Sequence, residues 1–165
     1  MSEPRWLTDE EQRAWRAFLF ANLLVSSALD HQLRRDSHGS LDYYGMLARL
    51  SEAPERSLRM SDLAEMTASS PSRLTHAVAN LEKLGWVERR PCAHDRRVQY
   101  AVLTDAGFAA LEAAAPGHVE AVRRCLFGPL SSEQVEQLHD IMTTIVRHLD
   151  VHVAESAGLV ERADA

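Results

Sequence analysis

The sequence predicts a mainly α-helical chain with one small β-hairpin, and three observations carry that reading. Apolar residues recur at helical spacing in successive stretches. A Ser or Thr stands where a helix cap belongs before each of them: Thr8, Ser40, Ser61, Ser70, Thr104 and Ser131. A single region, around residues 86–103, reads instead as two strands flanking a polar tip, PCAHDRR.

Thr8-Asp-Glu-Glu11 has the form of a capping box. Beyond it Trp15, Phe18, Leu19, Val25, Leu29 and Leu33 keep a helical period to about Arg35. Phe20, Leu23 and Leu24 widen that stripe, and a helix so apolar must bury more than one face. His38-Gly39-Ser40 ends it, and Ser40 caps a second helix bearing Tyr43, Tyr44, Met46, Leu47 and Leu50. Residues 51–59 read as a loop that closes with a short extended piece near Leu58. Ser61 is expected to cap a short helix with Leu63, Ala64 and Met66 inside. Ser70 caps the next, with Pro71 at the favoured first-turn position. Leu74, Ala77, Val78, Leu81 and Leu84 form its inner face, and Gly85 stops it. Strands follow at 86–90 and 98–103. Thr104 caps a long helix with Phe108, Leu111, Val119, Val122 and Leu126, in which Pro116-Gly117 predicts a kink or break. Gly128-Pro129 ends it. Ser131 with Gln134 opens a last helix carrying Val135, Leu138, Ile141, Met142, Ile145 and Leu149. Residues 154–165 read as loosely ordered.

The composition bounds what such a chain can be. With 165 residues, 45% of them hydrophobic and 25% charged, it suits a globular domain of good size. No apolar run reaches the ~18 residues of a membrane span. The first residues, MSEPRWLTDEEQ, are too polar for a secretory signal. Both points predict a cytoplasmic chain without a membrane partner. Cys92 and Cys125 are far apart and form neither a disulfide framework nor a CxxC motif. The net charge of −6 argues against a polyanionic partner, but its distribution matters more than its total. Residues 59–97 hold seven basic side chains against five acidic ones, so a basic segment sits on an acidic body.

Short helix, tight turn, second helix and arginine-tipped hairpin, in that order, describe a winged helix-turn-helix. There the second helix fits the major groove of DNA and the hairpin reaches the neighbouring backbone or minor groove. With Leu74 set inward, Ser72, His76, Ala79 and Lys83 point outward, flanked by Arg73, Thr75 and Asn80. With the cap Ser70, this small, donor-rich face can reach base edges and phosphates. An isolated polar helix face is usually just solvated; the helix before it and the hairpin after it favour the DNA reading. Arg89, Arg90, Arg96 and Arg97 crowd the hairpin, and guanidinium groups suit phosphates and narrow minor grooves. Asp95 is expected to pair with Arg97 and pre-shape the tip.

The motifs Gly85-Trp86-Val87-Glu88-Arg89, Asp95-Arg96-Arg97 and Val102-Leu103-Thr104-Asp-Ala-Gly107, with Ser70 to Thr75, resemble those of the MarR family of bacterial transcriptional regulators. The resemblance runs over nearly the whole chain. It implies a homodimer with intertwined terminal helices and two winged lobes on a pseudo-palindromic operator in double-stranded DNA. It implies that Arg97 enters the minor groove while residues 72–76 read the major groove. A glycine often follows the Asp-x-Arg triplet in the family; Val98 stands here, so the tip is shaped differently. The resemblance also implies a small aromatic or phenolic ligand in a cleft between reader and dimer region. Trp15, Arg16, His31, Tyr43 and Tyr44 are candidates, each equally readable as core or surface.

The expected organisation is a helical dimerisation region (1–35 and 105–153), a reading lobe (40–104) and a tail (154–165). The expected function is a ligand-responsive repressor. A winged interaction module without DNA binding and a redox- or metal-sensing regulator are the alternatives. His148 and His152 have an i, i+4 spacing that can hold a metal, yet nothing obvious completes a site, so none is expected. Cys92, beside Arg89, Arg90 and Arg96, could have a lowered pKa; it also reads as a small residue at a turn. Cys125 falls on an apolar helix face and reads as core. No GxSxG, Walker loop or GxGxxG is present, so no catalytic residue and no cofactor is expected.

Overall fold

Helix starts are set by the predicted side chains in all cases but one. In a computed structural model, which describes residues 5–37, 39–92, 94, 95, 97–150, 153 and 155, six α-helices and three strands are formed. They are α1 (Asp9–Ser37), α2 (Leu41–Glu52), β1 (Ser57–Arg59), α3 (Met60–Met66), α4 (Pro71–Lys83), β2 (Val87–Pro91), β3 (Gln99–Leu103), α5 (Asp105–Val122) and α6 (Ser132–Leu149). The Thr8 amide donates to Glu11 Oε2 at 2.7 Å and the Glu11 amide to Thr8 Oγ1 at 3.2 Å. Ser131 and Gln134 repeat that reciprocal pattern at α6. Ser40, Ser70 and Thr104 each accept a backbone N–H from the first turn. Ser61 does not cap α3. β1 runs straight into that helix, the cap position falls on Arg59, and the Ser61 hydroxyl donates to Asp62 at 2.8 Å.

The core lies inside the reading lobe. Met46, Leu47 and Leu50 of α2, Leu63 and Ala64 of α3, and Leu74, Val78 and Leu81 of α4 pack on Val87, Ala101 and Leu103 of the sheet and on Leu111 of α5. Each of the Leu, Val and Met side chains contributes about 1.5–3 kcal/mol by leaving water. Leu84, expected on the same face, is exposed, because α4 ends at Lys83 and the chain turns away at Gly85.

The hairpin is part of a three-stranded antiparallel sheet in the order β1-β3-β2. Leu58 of β1 pairs with Ala101, and β2 pairs with β3 from Val87 opposite Leu103 to Pro91 opposite Gln99.

Outside the lobe, α1 packs along α5. The break expected at Pro116-Gly117 does not occur, and α5 continues to Val122. A β-carbon on Gly117 would come within 3.2 Å of Gln32 Nε2, so glycine lets α5 lie close against α1. That packing holds the helix through Pro116, at the loss of one backbone hydrogen bond. The irregularity falls later, in a π turn at Arg123–Phe127. The extra residue of that turn shifts the helical phase. Cys125, expected in the core, is therefore only half-buried.

α1 buries only Leu29, Gln32 and Leu33, and α6 buries no residue. Trp15, Phe18, Leu19, Phe20, Leu23 and Leu24 of α1 and Ile141, Ile145 and Leu149 of α6 are exposed. The burial expected of the first helix is thus not achieved within one chain. Among the described residues no helix is long and apolar enough to cross a membrane. The tail expected at 154–165 lies, apart from Glu155, outside the described residues.

Candidate nucleic-acid interface

The turn between α3 and α4 is tight because Ala68 takes a left-handed conformation (φ 46°) that ends α3. The amides of Thr67, Ala68 and Ser69 return to carbonyls of Leu63, Glu65 and Ala64 at 2.9–3.1 Å. Ser70 and Pro71 then start α4 at once.

α4 presents the expected face. Ser70, Ser72, Arg73, Thr75, His76 and Lys83 are exposed, while Asn80 and Ala79 are half-buried. Much of the face is tied down by its own side chains. The Thr75 hydroxyl donates to the Pro71 carbonyl at 2.8 Å. Asn80 bridges His76 Nδ1 at 3.2 Å and Lys83 Nζ at 3.4 Å. Ser72 and Arg73 project from the first turn.

The wing is built on Asp95. Its carboxylate accepts the backbone N–H of Arg97 at 3.0 Å and Arg97 Nε and Nη2 at 3.1 Å each. The Arg97 side chain and then its backbone amide hold the Asp95 carboxyl below its usual pKa. Asp95 O accepts from the Val98 amide and Val98 O from the Cys92 amide, both at 2.9 Å, which closes the loop. The Arg97 side chain remains 91% exposed despite its pairing. Arg90 is exposed and pairs with Glu88. Arg96 lies outside the described residues. Backbone amides of His94 and Asp95 push the Cys92 thiol pKa down.

Arg89 behaves differently from its neighbours. Its guanidinium lies on Glu82 of α4, with Nη2 to Oε2 at 2.5 Å. Sequence reasoning missed Glu82. The signal was present, a carboxylate seven residues before an arginine across the Gly85 turn, but that spacing belongs to no regular element.

The Leu-Thr-x-x-Gly segment has a mechanical role. Thr104 Oγ1 donates to the Gly85 carbonyl at 2.6 Å, and the Thr104 amide donates to the Trp86 carbonyl at 3.0 Å. Gly85 itself needs its positive φ of 73°. A β-carbon on Gly107 would lie 2.1 Å from the Trp86 carbonyl oxygen. The start of α5 is therefore seated directly on the turn that joins α4 to β2. Arg56 adds to this seat, pairing with Asp105 at 3.2 Å and lying over the Phe108 ring at 3.9 Å.

Between α4 and the wing runs a cleft of about 400 Å³ lined by Met60, Ser61, Thr75, Arg89, Arg97, Val98 and Gln99. The residues suggested for a small ligand are not gathered in one place. Trp15 stacks on Phe18, Arg16 reaches Gln12, and both are exposed. His31 is exposed farther along α1, about 24 Å from Trp15 at the helical rise. Tyr43 and Tyr44 line a crevice of only about 10 Å³ with Trp86 and Leu111. Tyr44 packs on the His118 ring, with centroids 4.2 Å apart. Of the spaced pair His148 and His152, the second lies outside the described residues. No group of three or more metal-ligating side chains occurs among the described ones.

Helix, turn, helix and wing, held on helices that run outside the lobe, define a winged helix-turn-helix protein. Residues 40–98 match the MarR family model. The chain is 48% identical to Sco3205 of Streptomyces coelicolor, a MarR family transcriptional regulator whose crystal structure is in complex with DNA. That match covers 91% of this chain and 94% of the other, with a TM-score of 0.85. It is 27% identical over 128 residues to the transcriptional regulator PecS of Dickeya dadantii (strain 3937), covering 78% of this chain and 76% of PecS. It is 31% identical over 104 residues to the transcriptional repressor MprA of Escherichia coli (strain K12), covering 63% and 58%. The chain belongs to the MarR family of transcriptional regulators, proteins whose role is not enzymatic.

Proposed function

We propose that the chain is a sequence-specific DNA-binding regulator that works as a homodimer on a pseudo-palindromic operator. The observation that carries this reading is the placement of two differently equipped elements beside one cleft. α4 offers short polar side chains and Arg73, which suit base edges in a major groove. Beyond the cleft, the Asp95–Arg97 turn offers an exposed guanidinium suited to a minor groove. The phosphate ridge between two adjacent grooves would pass through the cleft, where the exposed Arg97 guanidinium provides donors. The DNA complex of the 48% identical Sco3205 supports the same use of the fold.

The dimer reading rests on apolar surface. α1 and α6 carry exposed apolar side chains, and between them lies a shallow, mostly apolar groove lined by Phe18, Val25, Leu126, Leu138 and Met142 together with Asn22 and Ser26. Surface of that kind is covered in stable assemblies, and a two-fold axis matches a palindromic site. In this division α1, α5 and α6 form the dimer region and residues 40–104 the reader. The likeness to the repressor MprA supports repression, by competition with polymerase for the promoter. A ligand that favours a lobe spacing unfit for DNA would relieve it.

Two outcomes follow. Arg97→Ala is expected to cost roughly 1–3 kcal/mol of operator binding. Dimer and helix content should stay intact; unchanged affinity in an anisotropy titration at low and moderate salt would remove the wing contact. Arg73→Ala and His76→Ala are expected to lower the ratio of operator to scrambled-DNA affinity, because the first turns of α4 meet base edges. If both variants lower the two affinities equally, the specificity-bearing face lies elsewhere.

A further inference from the structure

α4 and β2 are fastened at a second point beyond the turn that links them. Glu82 sits in the last turn of α4. Its Oε1 accepts the backbone N–H of Arg89 at 3.1 Å, and its Oε2 accepts Arg89 Nε at 2.9 Å and Nη2 at 2.5 Å. The two side chains are only 30% and 33% exposed. β2 is an edge strand of the sheet, since β3 lies between it and β1. Edge strands leave backbone donors unpaired unless something covers them. Glu82 covers this one and chelates the side chain of the same residue. The result is a closed ring from the reading helix, through Gly85 and Trp86, to the root of the wing.

We propose that Glu82 is a positioning residue for DNA recognition: by clamping Arg89 it fixes the wing, and with it Arg97, at a set distance from the base-reading face of α4. This rests on the reading of the chain as a DNA-binding regulator. Two physical points favour it. A carboxylate on the wall of a basic reading surface repels phosphate, so it weakens binding unless its geometry offsets the repulsion. Arg89 has Nε and Nη2 engaged by a carboxylate and its side chain is 33% exposed, whereas Arg97 is paired yet 91% exposed. Arg89 therefore serves by holding the wing, and Arg97 by reaching the DNA. The grooves of a duplex lie at fixed spacing. A rigid helix-to-wing distance rewards a site whose bases and narrow groove fall in register. A loose wing still meets phosphates on any sequence.

The test compares the parent, Glu82→Ala, Arg89→Ala and the double variant, on an operator duplex and a scrambled duplex at several salt concentrations. Glu82→Ala is expected to weaken operator binding roughly tenfold and leave scrambled-DNA binding within about twofold, with the salt slope unchanged. Plain electrostatics predicts the opposite sign, because a negative charge has been removed. The double variant should be no weaker than Glu82→Ala, since each residue acts through the other. If Glu82→Ala fails to fold by circular dichroism, Glu82→Gln keeps an acceptor for the Arg89 amide and should show a smaller loss in the same direction. Operator binding by Glu82→Ala as tight as the parent's overturns the clamp. So does a fall of about one unit in the salt slope for Arg89→Ala, which marks a phosphate contact. A parent that does not prefer operator over scrambled DNA would instead overturn the functional reading beneath it.

Discussion

Gly107→Ala is expected to destabilise the protein by roughly 2–4 kcal/mol. At this chain length that lowers Tm by about 5–15 °C. The sign is what makes the result informative. Alanine in place of glycine inside a helix ordinarily gains about 1 kcal/mol, through propensity and a less flexible unfolded chain. Here the new β-carbon would sit 2.1 Å from the Trp86 carbonyl oxygen and 2.8 Å from the Trp86 carbonyl carbon. Backbone cannot swing aside as a flexible side chain can. Either α5 lifts from the Gly85–Trp86 turn, breaking the Thr104 hydrogen bonds, or that turn moves and carries β2 with it. A thermal melt with Tm unchanged or raised would show that α5 is not seated there. The same seat gives the dimer region a mechanical connection to the reader, because α5 begins on the turn between reading helix and wing.

Ile141→Asp combined with Ile145→Asp should abolish the dimer at micromolar concentration and weaken operator binding at least a hundredfold. Two isoleucines that are 55% and 44% exposed in the single chain have little to lose there. In an isolated subunit the exchange is therefore expected to be close to neutral. In a dimer the two carboxylates of each copy would be buried without partners, which costs several kcal/mol. Sedimentation of the double variant as a monomer, with helix content kept, is the expected result. A dimer as stable as the parent would place the subunit contact elsewhere than on α6. Operator binding falls with the dimer, since one lobe meets only half a site and loses the gain from simultaneous engagement.

What the sequence revealed follows from which interactions are local. Caps at Thr8, Ser40, Ser70, Thr104 and Ser131 depend on residues three positions away, and they form as read. The reading helix was legible because Leu74, Val78 and Leu81 fix its orientation, and a fixed inner face fixes the outer one. What was not legible depends on partners distant in the chain. The extended piece near Leu58 forms as read, at Ser57–Arg59, but three residues are too few to show a period, and its pairing with β3 was not readable. Pro116 breaks an isolated helix but not one held along α1 through Gly117. Glu82 and Arg89 meet because a helix and a strand fold back on one another. Trp15 and Tyr44 shared only an aromatic character that suits a ligand, and their helices place them apart. Asp95 and Arg97 are two residues apart in one turn, and their pairing was readable for that reason.

The central claim, a dimeric reader of specific DNA, is tested most directly by capturing genomic fragments with the purified chain and sequencing what is retained. The account predicts strong enrichment of a few promoter-proximal sites sharing one pseudo-palindromic sequence. Its half-sites should be separated by about one helical turn or a multiple of it, as two lobes on a two-fold axis require. Retention of fragments in proportion to their abundance, with no shared sequence, would contradict it.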